Sequence, residues 1–418
     1  MPSPPAFAGS RPRAVVIGAG ITGGLVACRL QAAGWQVTVL EGAHVGAGSS
    51  SRTAAGIRQQ FSTPETVVGM RYSVDFYRRF PELVGGTEVP IVQNGYLFLH
   101  AHQEAWQAAC ARVEMQRAFG LTEVNALESQ DLVARFPWIE PLAVLGGTFC
   151  PTDGFLHPQT VYNEAIAAAQ RLGATVQVGT PVIGADHAGD RVTALVTPNG
   201  RVEADLVIDC TNAFDAALQG RLGFTKLPIS PLKRYLWFVQ RDGSVFGGEE
   251  GERTFSAMPL VISPSGAYCR PENANSLLCG WAHDTPAEPG FSYDDQDRIE
   301  PAFFHKSGTD TLGFQTWATL AEAIPGIGEF AGISATTCGY YGTTPDHNPF
   351  IDRDPALSNV IRAAGYSGHG AMFGPFSALL VEALARHGRP PSVSVLERDI
   401  PLGAFQIGRE FHHEAMVL

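Results

Sequence analysis

The sequence predicts an α/β protein, α+β overall, because three patterns follow one another along its 418 residues. A strand, a Gly-rich turn and a helix open the chain, and a second strand, turn and helix come near its end. Between these two units lie short segments whose apolar residues alternate as in an antiparallel sheet. We therefore expect two domains that are interleaved in sequence, an α/β domain and a domain built on an antiparallel sheet.

The first unit has the residue spacing of a dinucleotide-binding turn. A strand at residues 14–17 enters a G-x-G-x-x-G turn, and helical spacing follows over residues 24–31. Gly18 permits the tight turn, Gly20 lets the backbone approach a pyrophosphate, and Gly23 allows the helix to pack closely on the strand. This order of elements predicts a Rossmann-like domain.

Glu41 directly follows the second strand, which we place at residues 36–40. A carboxylate about 20 residues after the Gly-rich turn accepts hydrogen bonds from a ribose diol. The same carboxylate would repel a 2′-phosphate, so NADP is disfavoured at this site.

Residues 42–58 are mostly small and are unsuited to a packed core. They are suited to lie along an extended ligand, which an NAD site does not require. Arg52, Thr53 and Arg58 provide donors for an anion within this segment. A flexible loop is the alternative interpretation.

Composition excludes several classes of protein. The formal net charge is −12 with 17% charged residues, which leaves no basic surface for nucleic acid. The seven cysteines are odd in number and contain no C-x-x-C pair, so we expect neither a disulfide scaffold nor a metal site. Without a secretory signal or a run of about 18 apolar residues, the sequence predicts a cytoplasmic protein with no membrane span.

The remaining elements follow from alternation and turn residues. In the middle of the chain we place strands at 174–178, 182–183 and 191–196, with a hairpin turn at Asn199 and Gly200. Four further strands cover residues 235–239, 258–262, 266–271 and 276–281. The closing unit consists of a strand at 359–364, a turn at 365–370 and a helix at 376–385.

Five segments in this order resemble one family. The sequence is similar to the D-amino-acid oxidase type of FAD-dependent oxidoreductases, in particular the branch of sarcosine oxidase, dimethylglycine dehydrogenase and glycine oxidase. The resemblance covers nearly the whole chain and rests on residues 15–23, 48–58, 202–211, 344–349 and 363–370. It implies an FAD-binding domain made of residues 1–88, 150–226 and 328–418, and a substrate domain made of residues 89–149 and 227–327.

The resemblance implies an enzyme that oxidises the C–N bond of an amino acid or of a secondary or tertiary amine similar to sarcosine or dimethylglycine. Hydride transfer to flavin N5 would give an imine that water hydrolyses. The expected partners are the small amine and either oxygen or an electron-transfer acceptor. Two alternatives stay open: a flavin-binding assembly or interaction protein without amine oxidation, and an NAD(P)H-dependent flavin hydroxylase.

The resemblance also assigns residues to the cofactor. The backbone of Val182 would meet the adenine, and Thr211 would end a central strand near it. The closing turn would lie beside the flavin ring, where a helix N-terminus favours the negative charge of the reduced flavin. The full set is Gly18, Gly20, Ile21, Thr22, Gly23, Glu41, Gly48, Ser49, Ser50, Arg52, Thr53, Ala54, Gly56, Val182, Thr211, Gly365, Gly368, His369, Gly370 and Met372.

The family's clamp for a substrate carboxylate is incomplete in this sequence. Arg58 matches one cation of the sarcosine oxidase pattern, but the second falls at Met372, and the arginine of glycine oxidases falls at Tyr341. We expect Arg270 to supply the missing charge, with a solvated surface arginine as the alternative. Tyr268, on the same strand as Arg270, is a candidate for substrate contact.

Three further positions bear on the chemistry. The lysine with which sarcosine oxidases activate oxygen falls at Leu278, which predicts weak oxidase activity. The cysteine that binds FAD covalently in monomeric sarcosine oxidases falls at Gly339, one residue after Cys338, so noncovalent FAD is favoured over a link to Cys338. His283 is a candidate proton acceptor, although the more usual position holds Ala282.

Overall fold

The computed structural model describes residues 11–242, 246–281 and 311–416. These ranges contain ten helices: α1 (Ile21–Ala32), α2 (Pro64–Arg78), α3 (Phe80–Leu83), α4 (Gln103–Ala118), α5 (Ser129–Arg135), α6 (Pro158–Arg171), α7 (Asp215–Leu222), α8 (Gly248–Ser256), α9 (Leu312–Ala323) and α10 (Gly370–His387).

The strands of the described ranges form five sheets. In chain order they are β1 (Arg13–Ile17), β2 (Gln36–Leu40), β3 (Gly56–Ile57), β4 (Ile91–Val92), β5 (Tyr96–His100), β6 (Asn125–Glu128), β7 (Gly146–Cys150), β8 (Gly154–Leu156), β9 (Thr175–Gln177), β10 (Gly184–Ala188), β11 (Arg191–Thr197), β12 (Gly200–Glu203), β13 (Leu206–Asp209), β14 (Ser230–Gln240), β15 (Leu260–Ile262), β16 (Ala267–Asn273), β17 (Ser276–Trp281), β18 (Gly332–Thr343), β19 (Phe350–Arg353), β20 (Val360–Ala364), β21 (Ser392–Val395) and β22 (Arg398–Pro401).

A six-stranded sheet forms the α/β domain, in the order β19-β20-β13-β1-β2-β9. Its strands are parallel except β19, which runs antiparallel to β20. Alternate residues of β1 lie on opposite faces of the sheet, because successive side chains of a strand point to opposite sides. Ala14 and Val16 pack with the helices α1 and α10, whereas Val15 and Ile17 pack with the three-stranded sheet β10-β11-β12.

The prediction of a strand at 182–183 is wrong, since strand β10 begins only at Gly184. The amide of Thr180 still donates to the carbonyl of Glu41 at 2.8 Å. The chain therefore leaves the edge of the six-stranded sheet at Thr180, and residues 181–183 carry it across to the three-stranded sheet. Val182 is buried among apolar residues of that junction.

An eight-stranded sheet forms the second layer, in the order β18-β14-β17-β16-β15-β5-β7-β6. Its pairs are antiparallel except β15 and β5, which pair in parallel, so the expected antiparallel sheet contains one parallel pair. One face carries Tyr96, Tyr268 and Leu278 toward the α/β domain, and the other face packs with α5, α8 and α9. This combination of a parallel α/β sheet and a larger, mostly antiparallel sheet confirms the predicted fold class.

The Gly-rich helices begin earlier than their apolar spacing predicted. Helix α1 begins at Ile21, and α10 begins at Gly370 and contains Pro375 within its second turn. Glycine and proline have the lowest helix propensities, so the sequence pattern did not predict these first turns as helical. Both helix N-termini therefore lie directly at the ends of their glycine turns.

The division into domains stays a prediction. The strands of the eight-stranded sheet come from residues 96–150, 230–281 and 332–343, so the sheet extends past the expected boundary at 327. No helix in the described part of the chain is both long enough and apolar enough to cross a membrane.

Candidate functional site

A cavity of about 760 Å³ lies at the carboxyl ends of β1, β2 and β13. Ligands of open α/β sheets bind at this edge, in the crevice outside the strand ends. Its wall runs from Glu41 and Val182 at one end to Tyr341 and Gly370 at the other. We call it the long cavity.

The glycine turn between β1 and α1 depends on two of its glycines for geometric reasons. Gly18 has φ +101°, a left-handed conformation that favours glycine. A Cβ on Gly23 would lie 2.0 Å from the carbonyl oxygen of Gly18. The turn thus brings the N-terminus of α1 against the strand end, where its amide groups face the long cavity.

Ser50 covers the N-terminus of α1 from the opposite wall. Its Oγ accepts a hydrogen bond from the amide of Ile21 at 3.0 Å. The neighbouring Ser49 hydroxyl donates to the carbonyl of Tyr340 at 2.6 Å. A hydroxyl acceptor at a helix N-terminus occupies the kind of position that a phosphate oxygen takes.

The carboxylate of Glu41 is held by two backbone amides. Oε2 accepts from Ala19 at 2.8 Å and Oε1 accepts from Ala43 at 2.9 Å. Each carboxylate oxygen accepts more than one hydrogen bond, so Glu41 keeps acceptor capacity for a ribose diol. The residue lines the long cavity, as the predicted role requires.

Arg52 organises the loop along the middle of this cavity. Its Nη1 donates to the carbonyls of Ala47 and Gly48, the latter at 2.9 Å. The predicted anion donor therefore also fixes the loop that carries Ser49 and Ser50. Of the predicted cofactor residues, those that line the long cavity are Gly18, Gly20, Ile21, Thr22, Glu41, Gly48, Ser49, Ser50, Arg52, Thr53, Val182, Thr211, Gly368 and Gly370.

Asn212 fixes the second glycine turn. Its Oδ1 accepts from the amides of Gly365 and Tyr366, both at 3.1 Å. Gly368 has φ +93°, and a Cβ there would lie 2.5 Å from the ring of Tyr341. The turn therefore delivers the N-terminus of α10 to the same cavity that receives the N-terminus of α1. Gly23 and Gly365 shape the two turns without lining the cavity.

A smaller cavity of about 40 Å³ adjoins the flavin end of the predicted cofactor site. Thr53, Tyr341 and Gly368 line both cavities, so the two are contiguous. We call it the small cavity. Its other walls are Ala54, Ala55, Gly56, Arg58, Tyr96, Leu260, Tyr268, Ser367, His369 and Met372.

Arg58 is the cation of the small cavity, and its side chain is almost completely buried, with 1% of its surface exposed. Its Nη1 lies 3.3 Å from the hydroxyl of Tyr96, and its Nη2 donates to the carbonyl of Met416. The guanidinium carbon lies 4.6 Å from the centre of the Phe61 ring. Among the described residues no acidic side chain pairs with Arg58, and its Nε has no hydrogen-bond partner.

His369 lies beside Arg58, with its Nε2 3.4 Å from Nη2 of Arg58. Burial lowers the pKa of His369 well below its usual value, and the charge of Arg58 lowers it further. The imidazole is therefore neutral. Because Nε2 faces a guanidinium donor, the ring proton belongs on Nδ1, which makes at most a weak hydrogen bond, to the backbone of Tyr366.

Tyr268 and Tyr341 form a hydrogen-bonded pair in the wall of the small cavity. The ring of Tyr268 lies over Gly280 of the neighbouring strand, where a Cβ would approach its hydroxyl to 2.4 Å. Burial raises the pKa of Tyr268 well above its usual value. The phenol of Tyr268 is thus a neutral part of the wall of the small cavity.

Arg270 lies behind this wall and is absent from the lining of the small cavity. It is neither solvated nor free: its Nη1 pairs with Glu272 at 2.6 Å, and its Nε donates to the carbonyl of Ala54 at 2.8 Å. The structure therefore does not bring Arg270 and Arg58 together as a carboxylate clamp. The predicted proton acceptor His283, and Ala282 beside it, lie outside the described residues.

Leu278 and Cys338 are both buried away from the cavity linings. Leu278 packs in the apolar layer between the two sheets. Cys338 packs on the opposite face of the eight-stranded sheet with Tyr235 and Cys279. The neighbouring Gly339 is the residue that faces the cavity loop, since a Cβ there would lie 2.7 Å from Cβ of Arg52.

The sequence analysis missed several residues around Arg58. Four of them line the small cavity, namely Ala55, Tyr96, Leu260 and Ser367, and a further one is Met416, whose carbonyl accepts from Arg58. Another is Asp153, whose carboxylate accepts from the amide of Gln59 at 2.9 Å and from Nε2 of Gln60 at 3.1 Å. Asp153 thus holds the backbone next to Arg58. The only signal for it was an acid in a Thr-Asp-Gly turn.

Known proteins are similar to this chain in both sequence and architecture. The family model described as FAD dependent oxidoreductase, DAO, matches residues 13–384. FAD-dependent oxidoreductase domain-containing protein 1 of Bos taurus is 26% identical, over 91% of this chain and 82% of the relative. The mitochondrial sarcosine dehydrogenase of Homo sapiens is 23% identical, over 96% of this chain but only 41% of its own length.

Among solved structures, the chain is similar to L-proline dehydrogenase from P. horikoshii, at 27% sequence identity and a TM-score of 0.77. The match covers 91% of this chain and 94% of that one. The long cavity has the groups that FAD requires, because two helix N-termini provide donors for the phosphates and the carboxylate of Glu41 provides an acceptor for a ribose diol. The chain belongs to the DAO family of FAD-dependent oxidoreductases.

Proposed function

We propose that this FAD-dependent enzyme oxidises the C–N bond of a small amine that carries a carboxylate, such as an N-methyl or cyclic amino acid. The observation that carries the proposal is Arg58, a buried cation in the wall of the small cavity. All its described partners are neutral: a phenol, an imidazole and a backbone carbonyl.

A buried charge without a counter-ion is costly, and an anionic ligand would offset that cost. A guanidinium has five N–H donors, and three of those of Arg58 have partners here. The remaining donors include the Nε–H. A substrate carboxylate that accepts from one of these donors would offset the charge of Arg58.

The position of the small cavity supports an amine at the other end of that substrate. A carboxylate at Arg58 leaves the rest of the molecule beside Tyr341 and Gly368, which pack against each other and also line the long cavity. The long cavity would hold FAD, which would supply a hydride acceptor for the carbon next to the substrate nitrogen, and water would hydrolyse the imine product.

The protein's own residues prepare this substrate in two ways. Tyr268, Tyr341, Leu260 and Met372 exclude water from the amine, which favours its neutral form by lowering its pKa. The neutral His369 keeps its proton on Nδ1 as a hydrogen-bond donor, so we assign it to binding and not to general base chemistry.

The relatives support a secondary amino acid. Sarcosine and L-proline, which the names of two similar proteins give as substrates, each combine a secondary amine with one carboxylate. The electron acceptor is proposed to be oxygen or an electron-transfer partner. No disulfide joins the cysteines of the described residues, which agrees with a reducing compartment and supports the cytoplasm as the proposed location.

Anaerobic bleaching of the bound flavin tests the proposal. The panel contains sarcosine, N,N-dimethylglycine, L-proline and glycine, with pyrrolidine and dimethylamine as matched amines that lack the carboxylate. We expect bleaching by a secondary or tertiary amino acid and slow or no bleaching by the amines without a carboxylate. Absence of bleaching by every amine would favour the flavin-binding assembly protein, and bleaching by NADPH would favour the hydroxylase.

A further inference from the structure

Residues 406–416 run from the α/β domain to the small cavity, and we call them the C-terminal strap. The strap contains Glu414, a carboxylate with only 1% of its surface exposed. Nothing in the proposed chemistry uses this buried charge. Its contacts therefore need a separate account.

Glu414 binds the segment that follows Arg58 in sequence. Its Oε1 accepts from the amide of Ser62 at 2.8 Å and from the Ser62 hydroxyl, and its Oε2 accepts from the hydroxyl of Thr63 at 3.3 Å. Thr63 immediately precedes α2, so the carboxylate also lies at a helix N-terminus, which favours negative charge.

A second anchor holds the other end of the strap. Arg409 forms a two-pronged ion pair with Asp346, with distances of 2.7 and 2.8 Å, and both side chains are buried. The amide of Glu414 donates to the carbonyl of Asp346 at 3.0 Å. Arg409 and the backbone of Glu414 are thus both fixed to Asp346.

The anchored strap reaches Arg58, the cation that we propose binds the substrate carboxylate. Oε1 of Glu414 also accepts from the amide of Met416 at 3.1 Å, and the carbonyl of Met416 accepts from Nη2 of Arg58. One carboxylate therefore ties together the strap, the start of α2 and the residue that contacts Arg58.

We propose that Glu414 is a positioning residue for Arg58: it fixes the C-terminal strap so that the Met416 carbonyl holds the guanidinium ready for a substrate carboxylate. This inference rests on the proposed function of Arg58. An arginine side chain loses rotamer freedom when it is fixed, and a contact that fixes it before binding removes that loss from the binding step.

The test measures carboxylate binding and turnover separately in the FAD-bound protein. Acetate, propionate and benzoate are titrated against the flavin absorption spectrum, and KM and kcat are measured with the amine that the bleaching panel identifies. We expect Glu414→Ala to raise the Kd of the carboxylate and the KM of the amine about 10-fold, with kcat within about twofold.

Two variants act as controls for Glu414→Ala. Glu410→Ala removes the same charge from an exposed position of the same strap, and we expect no change in Kd. Glu414→Gln keeps an oxygen that accepts from Ser62 and Met416, and we expect it to bind carboxylates nearly as well as the wild type.

A milder change covers the case in which Glu414→Ala fails to fold. Ser62→Ala removes the hydroxyl that donates to Glu414 and accepts from the amide of Ala415 at 3.0 Å. We expect a rise of about threefold in the same Kd, because the amide of Ser62 still binds Glu414.

Three outcomes separate this inference from the proposed function. A lower melting temperature of Glu414→Ala with an unchanged carboxylate Kd would overturn the positioning role. The same role fails if Glu414→Ala weakens binding equally in the Arg58→Met background, because Glu414 would then act independently of Arg58. If Arg58→Met itself leaves the Kd unchanged, the proposed function fails.

Discussion

The Nη2 atom of Arg58 lies 3.4 Å from Nε2 of His369, inside a cavity wall where both side chains are buried. The arginine lowers the pKa of the imidazole, and the imidazole in turn gives the guanidinium a neutral acceptor. The pair therefore carries one positive charge and no negative one. An anionic ligand would neutralise the positive charge of the pair.

Replacement of Arg58 tests this charge directly. Arg58→Met should lower kcat/KM for a carboxylate-bearing amine on the order of 100-fold, because two charge-assisted hydrogen bonds are lost. Arg58→Lys keeps the charge without the planar fork, and we expect an intermediate loss. Steady-state kinetics with amines that have and lack the carboxylate measure the effect. An equal loss for both kinds of amine would contradict the assigned role.

Gly23 should control the affinity for FAD. A Cβ at this position would lie 2.0 Å from the Gly18 carbonyl, so Gly23→Ala must push α1 away from β1. We expect the purified Gly23→Ala variant to contain little flavin. The flavin content is measured as the ratio of the absorbance at the flavin band to the absorbance of the protein. Gly220→Ala is the matched control, since it lies in α7 with open space around it. A full flavin content in Gly23→Ala would count against the predicted pyrophosphate site.

FAD should be released when the protein is denatured. Cys338 is 2% exposed and packs on the face of its sheet that is turned away from the cavity loop. Acid precipitation should leave the flavin in the supernatant, and Cys338→Ser should keep the flavin spectrum of the wild type. Flavin fluorescence in the precipitate that disappears in Cys338→Ser would instead show a covalent link.

Local sequence patterns predicted the α/β domain because its strands, turns and helix starts are short-range features. The surroundings of Arg58 are different, since Tyr96, His369 and Met416 are 38, 311 and 358 residues away from it. No local pattern reports such contacts. Arg270 is an instructive case, because Glu272 lies two residues later on the same strand face and neutralises it. An Arg-x-Glu pair in a strand is a signal that the sequence analysis did not use.

Electron transfer to oxygen should be slow in comparison with transfer to a dye. A positive charge near the flavin stabilises superoxide as it forms, but the lysine position of sarcosine oxidases holds the buried Leu278. In the described part of the chain, no lysine lines either cavity. We expect the substrate-reduced protein to react with oxygen on the order of 10-fold more slowly than with dichlorophenolindophenol, followed by stopped-flow absorbance. Equal rates would contradict the prediction.

The carboxyl of Asp153 should make the free energy of unfolding depend on pH. Burial raises the pKa of its carboxyl to about 6, although hydrogen bonds from Gln59 and Gln60 act in the opposite direction. In the unfolded chain the pKa of an aspartate is about 3.9. Between these two values the folded protein holds more protons than the unfolded one, so the free energy of unfolding falls as the pH rises.

In the wild type, the free energy of unfolding should fall by about 3 kcal/mol as the pH rises from about 4 to above 6. Asp153→Asn should remove this pH dependence, because the amide does not titrate. The variant therefore gains melting temperature relative to the wild type as the pH is raised, and thermal unfolding of the FAD-bound protein at several pH values measures the difference. Asp205→Asn is a control, because the contribution of Asp205 to stability should change with pH in the opposite direction. Its hydrogen bonds to Arg13 lower the pKa of Asp205, so it contributes stability at neutral pH that is lost in acid. A constant difference between Asp153→Asn and the wild type across this range would show that Asp153 titrates normally.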